Sequence, residues 1–174
     1  ITIRLRQGVK WHDGHPFDAG DVKFSIEKIW PLQVTTITNV IARVTAPDAH
    51  TIVLRLKEKW PILLRYLGQS AGQILPRHLY EGTDIVTNPH NNRPVGTGPF
   101  RFKEWQRGSH IVLERNPDYY IAGQPYLDRI VWKVINDSAS RAAALETGAA
   151  QFAARNPITF RHVARLEGDP ALGI

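Results

Sequence analysis

The residues of this chain best suited to chemistry stand together in Trp11-His12-Asp13-Gly14-His15, where two imidazoles flank a carboxylate. Neutral imidazole and carboxylate are donors for late transition metals. The spacing speaks against that use. Asp13-Gly14 is a strong turn signal, the residues straddle the bend, and no neighbouring cluster in the sequence completes a coordination shell. The stretch therefore reads as a turn, and no metal is assigned. Nor is a reaction assigned: no Gly-x-Ser-x-Gly nucleophile elbow, no phosphate-binding glycine loop followed by lysine, and no His-Glu-x-x-His helix is identified. The glycine-rich Val95-Gly96-Thr97-Gly98-Pro99 lacks both the lysine and the following helix of a phosphate cradle. The chain reads as a protein that is not an enzyme and needs no cofactor.

Composition bounds what else it can be. The 174 residues are 43% hydrophobic and 22% charged, enough for a packed core in one domain or two small ones. No apolar run approaches the roughly 20 residues of a membrane-spanning helix, and no leader pattern opens the chain. Its first residues, Ile1-Thr2-Ile3-Arg4-Leu5-Arg6, alternate as a strand does and there is no methionine, so the sequence is expected to be an internal piece of a longer polypeptide. The absence of cysteine excludes disulfides and zinc-thiolate sites. A net charge of +6 invites a polyanion, but the basic residues are spread singly along polar faces, with no run interleaved with stacking aromatics. Nucleic acid is not an expected partner.

The elements that would position any functional group follow from pattern. A strand over Ile1–Arg6 leads to the Asp13-Gly14 turn. A helix then starts at Asp18, with Asp21 completing a capping box and Val22, Ile26 and Ile29 forming its apolar stripe, and ends near Trp30 because Pro31 disfavours continuation. Residues 40–45 and 51–57 form a hairpin about Pro47-Asp48. Pro61 opens a short apolar helix to Leu67, Gly68–Gln73 is a polar loop, and Pro76–Glu81 is a further short helix. Gly82–Pro94, rich in proline and asparagine, is the candidate boundary. After it, Gly96 and Gly98 allow a close backbone approach or a positive φ before a second hairpin, whose strands start at Phe100 and His110 and whose exit carries Tyr119 and Tyr120. Ile111 and Leu113 share one face of it. Ile130–Ile135 is a strand with Ile130, Trp132 and Val134 on one face. Asp137 or Ser138 caps an alanine-rich helix closed by Gly148. A short strand over Gln151–Ala153 and a last helix, Phe160–Glu167, capped by Thr159 and stopped by Gly168, complete the reading.

Several of these segments together resemble the extracytoplasmic solute-binding proteins of the peptide/nickel importer family. They are Leu5–Phe17 (LRQGVKWHDGHPF), Ala19–Ser25 (AGDVKFS), Ala46–Leu56 (APDAHTIVLRL), Val95–Phe100 (VGTGPF), Glu114–Tyr120 (ERNPDYY), Pro125–Ile135 (PYLDRIVWKVI) and Ala144–Gly148 (ALETG). The chain departs from the family pattern at Asp18, where Thr is usual, and at Gly148-Ala149-Ala150-Gln151, where Gly-Glu-x-Asp is usual. The resemblance implies an α/β fold: a lobe of a type II periplasmic-binding-protein-like molecule, with a mixed sheet, flanking helices and antiparallel hairpins, from an incomplete two-lobe protein. It implies residues 1–92 as the outer subdomain of the first lobe and 93–174 as part of its core subdomain, the second lobe being absent. It further implies capture of a peptide or similar small solute between lobes, delivery to a membrane permease, an extracytoplasmic or periplasmic location and a monomer. By the same resemblance Gln69, Ser70 and Gln73, with Arg155 and Asn156, are the candidate ligand-facing residues, able to hold peptide groups through neutral or charge-assisted hydrogen bonds. The competing reading is a basic surface protein that binds an anionic polymer or lipid headgroups.

Overall fold

Alternating residues build the first sheet. Strands β2 (Ile41–Asp48) and β3 (Thr51–Leu56) pair antiparallel, with Val44 opposite Leu54 and Thr45 opposite Val53. β1 (Thr2–Arg4) lies along the other edge of β3, with Ile3 opposite Ile52, so the order is β1-β3-β2. In this computed structural model the described residues are 1–68, 72–153 and 158–169. They divide into two units, one of residues 1–104 with 112–130 and the other of 105–111 with 131–174.

In the first unit, α1 (Ala19–Phe24) begins with the expected capping box. The Asp18 carboxylate accepts from the amides of Gly20 and Asp21, while Asp21 accepts from the amide of Asp18. The helix does not end at Trp30. It widens into a π-helical segment, Ser25–Ile29, and continues as α2 (Trp30–Gln33), with Pro31 in its first turn. The wider turn makes this possible: the Trp30 amide bonds to the Ser25 carbonyl, and Pro31, which has no amide to donate, falls where a new helical segment begins. A further helix, α3 (Thr35–Val40), leads into β2; no sequence signal had marked it. Helix α1 and its continuation lay Val22, Ile26 and Ile29 against Ile52 and Leu54 of the sheet, and Leu63 closes the same core from α4 (Leu63–Leu67). Pro61 precedes α4 rather than opening it. Helix α5 (Arg77–Tyr80) and a 3₁₀ turn, Pro89–Asn91, follow. The polar segment after Gly82 is tied down by asparagines: buried Asn88 donates to the Leu79 carbonyl, and Asn91 accepts from the Tyr80 hydroxyl.

The second sheet has the order β4 (Phe100–Gln106), β5 (His110–Arg115), β6 (Arg129–Lys133). Ile111 and Leu113 are half-buried on their shared face, and the fully buried residue of β5 is Val112, on the opposite one. At the hairpin exit the Tyr119 and Tyr120 rings lie 4.5 Å apart, with the Arg6 guanidinium 5.1 Å from the Tyr120 ring. In the second unit, Asp137 is the cap of α6 (Ser138–Glu146), accepting from the Ser140 amide, and Gly148 takes a φ of +68° beyond its end. Residues 151–153 form no strand, so the expected strand-helix-strand unit is absent among the described residues. Helix α7 (Phe160–Glu167) begins after Thr159, whose side chain makes no capping bond.

Candidate functional site

The chain is fixed on either side of residues 69–71. On the entry side the Gly68 amide donates to the Leu64 carbonyl at 3.3 Å. On the exit side the buried Trp30 indole donates to the Gln73 carbonyl at 2.8 Å, and Ser25 grips Leu75 twice, its Oγ accepting from the Leu75 amide at 2.9 Å and donating to its carbonyl at 3.3 Å. The Gln73 backbone is therefore anchored while its side chain is exposed, the arrangement a polar ligand-facing residue requires. Gln69 and Ser70 lie outside the described residues, as do Arg155 and Asn156. The segment leading to the latter pair leaves a turn in which Gln151 donates to the Gly148 carbonyl and Lys133 to the Ala149 carbonyl; after it, the Thr159 amide donates to Ser138 Oγ.

One correction concerns the same loop. Gly68-Gln69-Ser70-Ala71-Gly72 does spell Gly-x-Ser-x-Gly. A nucleophile elbow needs a strand before the serine and a helix after it. Here helix α4 precedes the pattern, where an elbow has a strand, and Gln73–Pro76 after it contains no helix.

The Val95–Pro99 block is held as scaffold. His12 clamps it, accepting the Gly96 amide on Nδ1 at 3.1 Å and donating from Nε2 to the Gly98 carbonyl at 3.0 Å; this pair of bonds fixes the neutral tautomer with its proton on Nε2. Asn116, buried, donates to the same Gly98 carbonyl at 3.0 Å. A Cβ at Gly96 would meet the His12 ring at 3.4 Å, ordinary van der Waals contact, and neither Gly96 nor Gly98 takes a positive φ, so the structure does not demand the conformational freedom expected of these glycines.

The third constellation was only half visible in sequence. His78, on α5, donates from Nε2 to Asp13 Oδ2 at 2.7 Å, His15 Nδ1 lies 3.3 Å from Asp13 Oδ1, and the two imidazole rings stack with centroids 4.0 Å apart. Burial works against the charged Asp13 carboxyl, but the bonds from His78 and the His15 amide outweigh it and hold the group below its ordinary range. His12, the other imidazole of the motif, is turned away into the glycine block. His78 is 65 residues distant in sequence, in a helix with no motif of its own, and only the fold brings it to Asp13.

Comparison with known proteins places these features. Residues 1–173 match the family model of bacterial extracellular solute-binding proteins, family 5, middle region. A glutathione-binding protein, GsiB, of Pectobacterium atrosepticum is 34% identical over 99% of this chain and 34% of its own length. Among solved structures, MoaA from A. tumefaciens R10 in complex with mannopinic acid superposes with a TM-score of 0.85 at 31% identity, over 97% of this chain and 34% of that one. NikZ from Campylobacter jejuni in complex with Ni(L-His) gives 0.77 at 31% identity, over 85% and 30% of the two chains. The chain thus spans about a third of the length of the relatives it matches.

Proposed function

The chain belongs to the bacterial extracellular solute-binding proteins of family 5, and from that membership we propose that the protein containing it captures a peptide or similar small solute in a cleft between two lobes. It then delivers that cargo to the membrane permease of an ATP-driven importer. The protein acts outside the cytoplasm, as a monomer and without nucleic acid. Residues 1–92 supply the outer subdomain of the first lobe, and 93–174 part of its core subdomain. The observation that carries the reading is the family match over residues 1–173, supported by the likeness to relatives named for glutathione, oligopeptide and nickel-chelate ligands. Such a family binds rather than transforms its ligand.

Within the cleft, Gln69, Ser70 and Gln73 on one loop and Arg155 and Asn156 on another are the ligand-facing groups from this part of the chain. The anchored stem at Gln73 supports this assignment, because polar recognition gains from a backbone that is already fixed. Titration calorimetry of the full-length protein against short peptides, glutathione, opine-type conjugates and nickel chelates tests the proposal. For the cargo that binds, Arg155→Ala is expected to weaken affinity at least tenfold, the scale of losing one charge-assisted hydrogen bond. Affinity unchanged in both Arg155→Ala and Gln73→Ala would remove these residues from the site, and binding of none of the solutes would remove the proposed cargo class.

A further inference from the structure

We propose that Asp13, His15 and His78 form a surface site for a single late first-row divalent metal ion, of the zinc or nickel class, separate from the solute cleft. Their donor atoms, one from each residue, all lie within 4.8 Å of one another. Donors at bond lengths of 2.0–2.2 Å around a tetrahedral ion sit about 3.4 Å apart; the backbone brings the three within reach, and binding requires the two stacked rings to turn out of their stack so that both nitrogen lone pairs point at one ion. Two imidazoles and one carboxylate are the donors that favour nickel, copper and zinc over magnesium or calcium, which prefer all-oxygen shells. All three residues are solvent-accessible, leaving the remaining coordination positions to water.

What distinguishes the cluster from a chance meeting of surface side chains is that both of its halves hang from one buried carboxylate. Asp21 Oδ2 accepts from the Trp11 indole at 3.0 Å, and Asp21 Oδ1 accepts from the Arg77 amide at 2.9 Å. Trp11 begins the turn that carries Asp13 and His15: its amide donates to the His15 carbonyl and its carbonyl accepts from the Gly14 amide, both at 2.8 Å. Arg77 is the neighbour of His78. The His15 amide also bonds Asp13 Oδ1 at 3.2 Å, orienting that carboxylate toward both rings. A backbone fixed in this way limits the entropy lost on binding an ion to the turning of side chains. On binding, the ion replaces the His78 Nε2 hydrogen in the bond to Asp13 Oδ2, and the neutral ring carries its single proton on Nδ1 instead.

The test is calorimetric titration of metal-stripped, cargo-free, full-length protein with zinc chloride and with nickel chloride in a non-coordinating buffer. One equivalent is expected to bind, with affinity reduced at least tenfold in His15→Ala and in His78→Ala and unaltered in His110→Ala. Magnesium chloride is expected to give no heat. His15 is exposed enough that its variant folds, and circular dichroism melting verifies this. Absence of binding, or binding as tight in His15→Ala and His78→Ala as in the wild type, overturns the proposal. In either case the cargo assays above stand on their own, because neither histidine is assigned to the cleft.

Discussion

Asp21 shows how much a single side chain can organise. At 5% exposure it is one of few buried charged groups described, and it accepts the Trp11 indole, the Asp18 amide and the Arg77 amide at once. A buried carboxylate is tolerated only when its oxygens are occupied in this way. Asp21→Asn keeps the shape but turns half of the acceptor into a donor facing donors. It is expected to cost roughly 1–3 kcal/mol, the penalty of a buried unsatisfied group, read from urea unfolding of the full-length protein. Asp13 supplies a pH-dependent counterpart. Its folded carboxyl is held below the ordinary 3.8, so the stability it contributes is fully present above about pH 4 and is lost as pH falls through the lowered value. Melting curves of wild type and Asp13→Asn should therefore be furthest apart near neutrality and converge below about pH 4. A gap constant down to pH 3 would show that the ionised Asp13 carboxylate adds no pH-dependent stability.

Among elements, the helix over Ala19–Gln33 is the one on which the rest depends. Its start is set by Asp18, standing where the family pattern has Thr. Both residue types cap well, so Asp18→Thr should change the melting temperature little, whereas Asp18→Ala should lower stability by about 1 kcal/mol. Equal losses in the two variants would show that Asp18 acts otherwise than as a cap. The middle of the helix is where prediction from Pro31 fails. Proline ends a regular α-helix because it lacks a donor and clashes with the preceding turn, but the π-helical widening at Ser25–Ile29 shifts the register so that Pro31 opens a new segment. That continuation carries Trp30 to the Gln73 carbonyl, so the irregularity of the helix positions the candidate ligand loop.

For the molecule as a whole, the charge of +6 is the feature most open to a different interpretation. A polyanion binder loses affinity steeply as salt rises, because bound counterions are released; a small solute held in a closed cleft does not. Cargo affinity of the full-length protein measured between about 50 and 500 mM salt should change less than about threefold. X-ray scattering of the same protein should show compaction on adding cargo, the signature of lobes closing about a hinge. A steep salt dependence or an unchanged radius of gyration with bound cargo counts against the cleft mechanism.

Contiguous residues determined much of this. The capping box at Asp18 and Asp21, the hairpin of β2 and β3, the Asp13-Gly14 turn, the Asp137 cap and the left-handed Gly148 all rest on interactions spanning a few positions, and such short-range chemistry is written directly in the sequence. The family motifs, which carry the functional reading, are legible for the same reason. Tertiary structure alone decided that β1 pairs with β3 across some fifty residues, that Val112 is the buried residue of β5, that Gln151–Ala153 forms no strand, and that His78 meets Asp13. These depend on where distant segments come to rest. A strand gains its partner, and an imidazole its carboxylate, only once the chain path has been closed by the packing of the core, and no local pattern encodes that path.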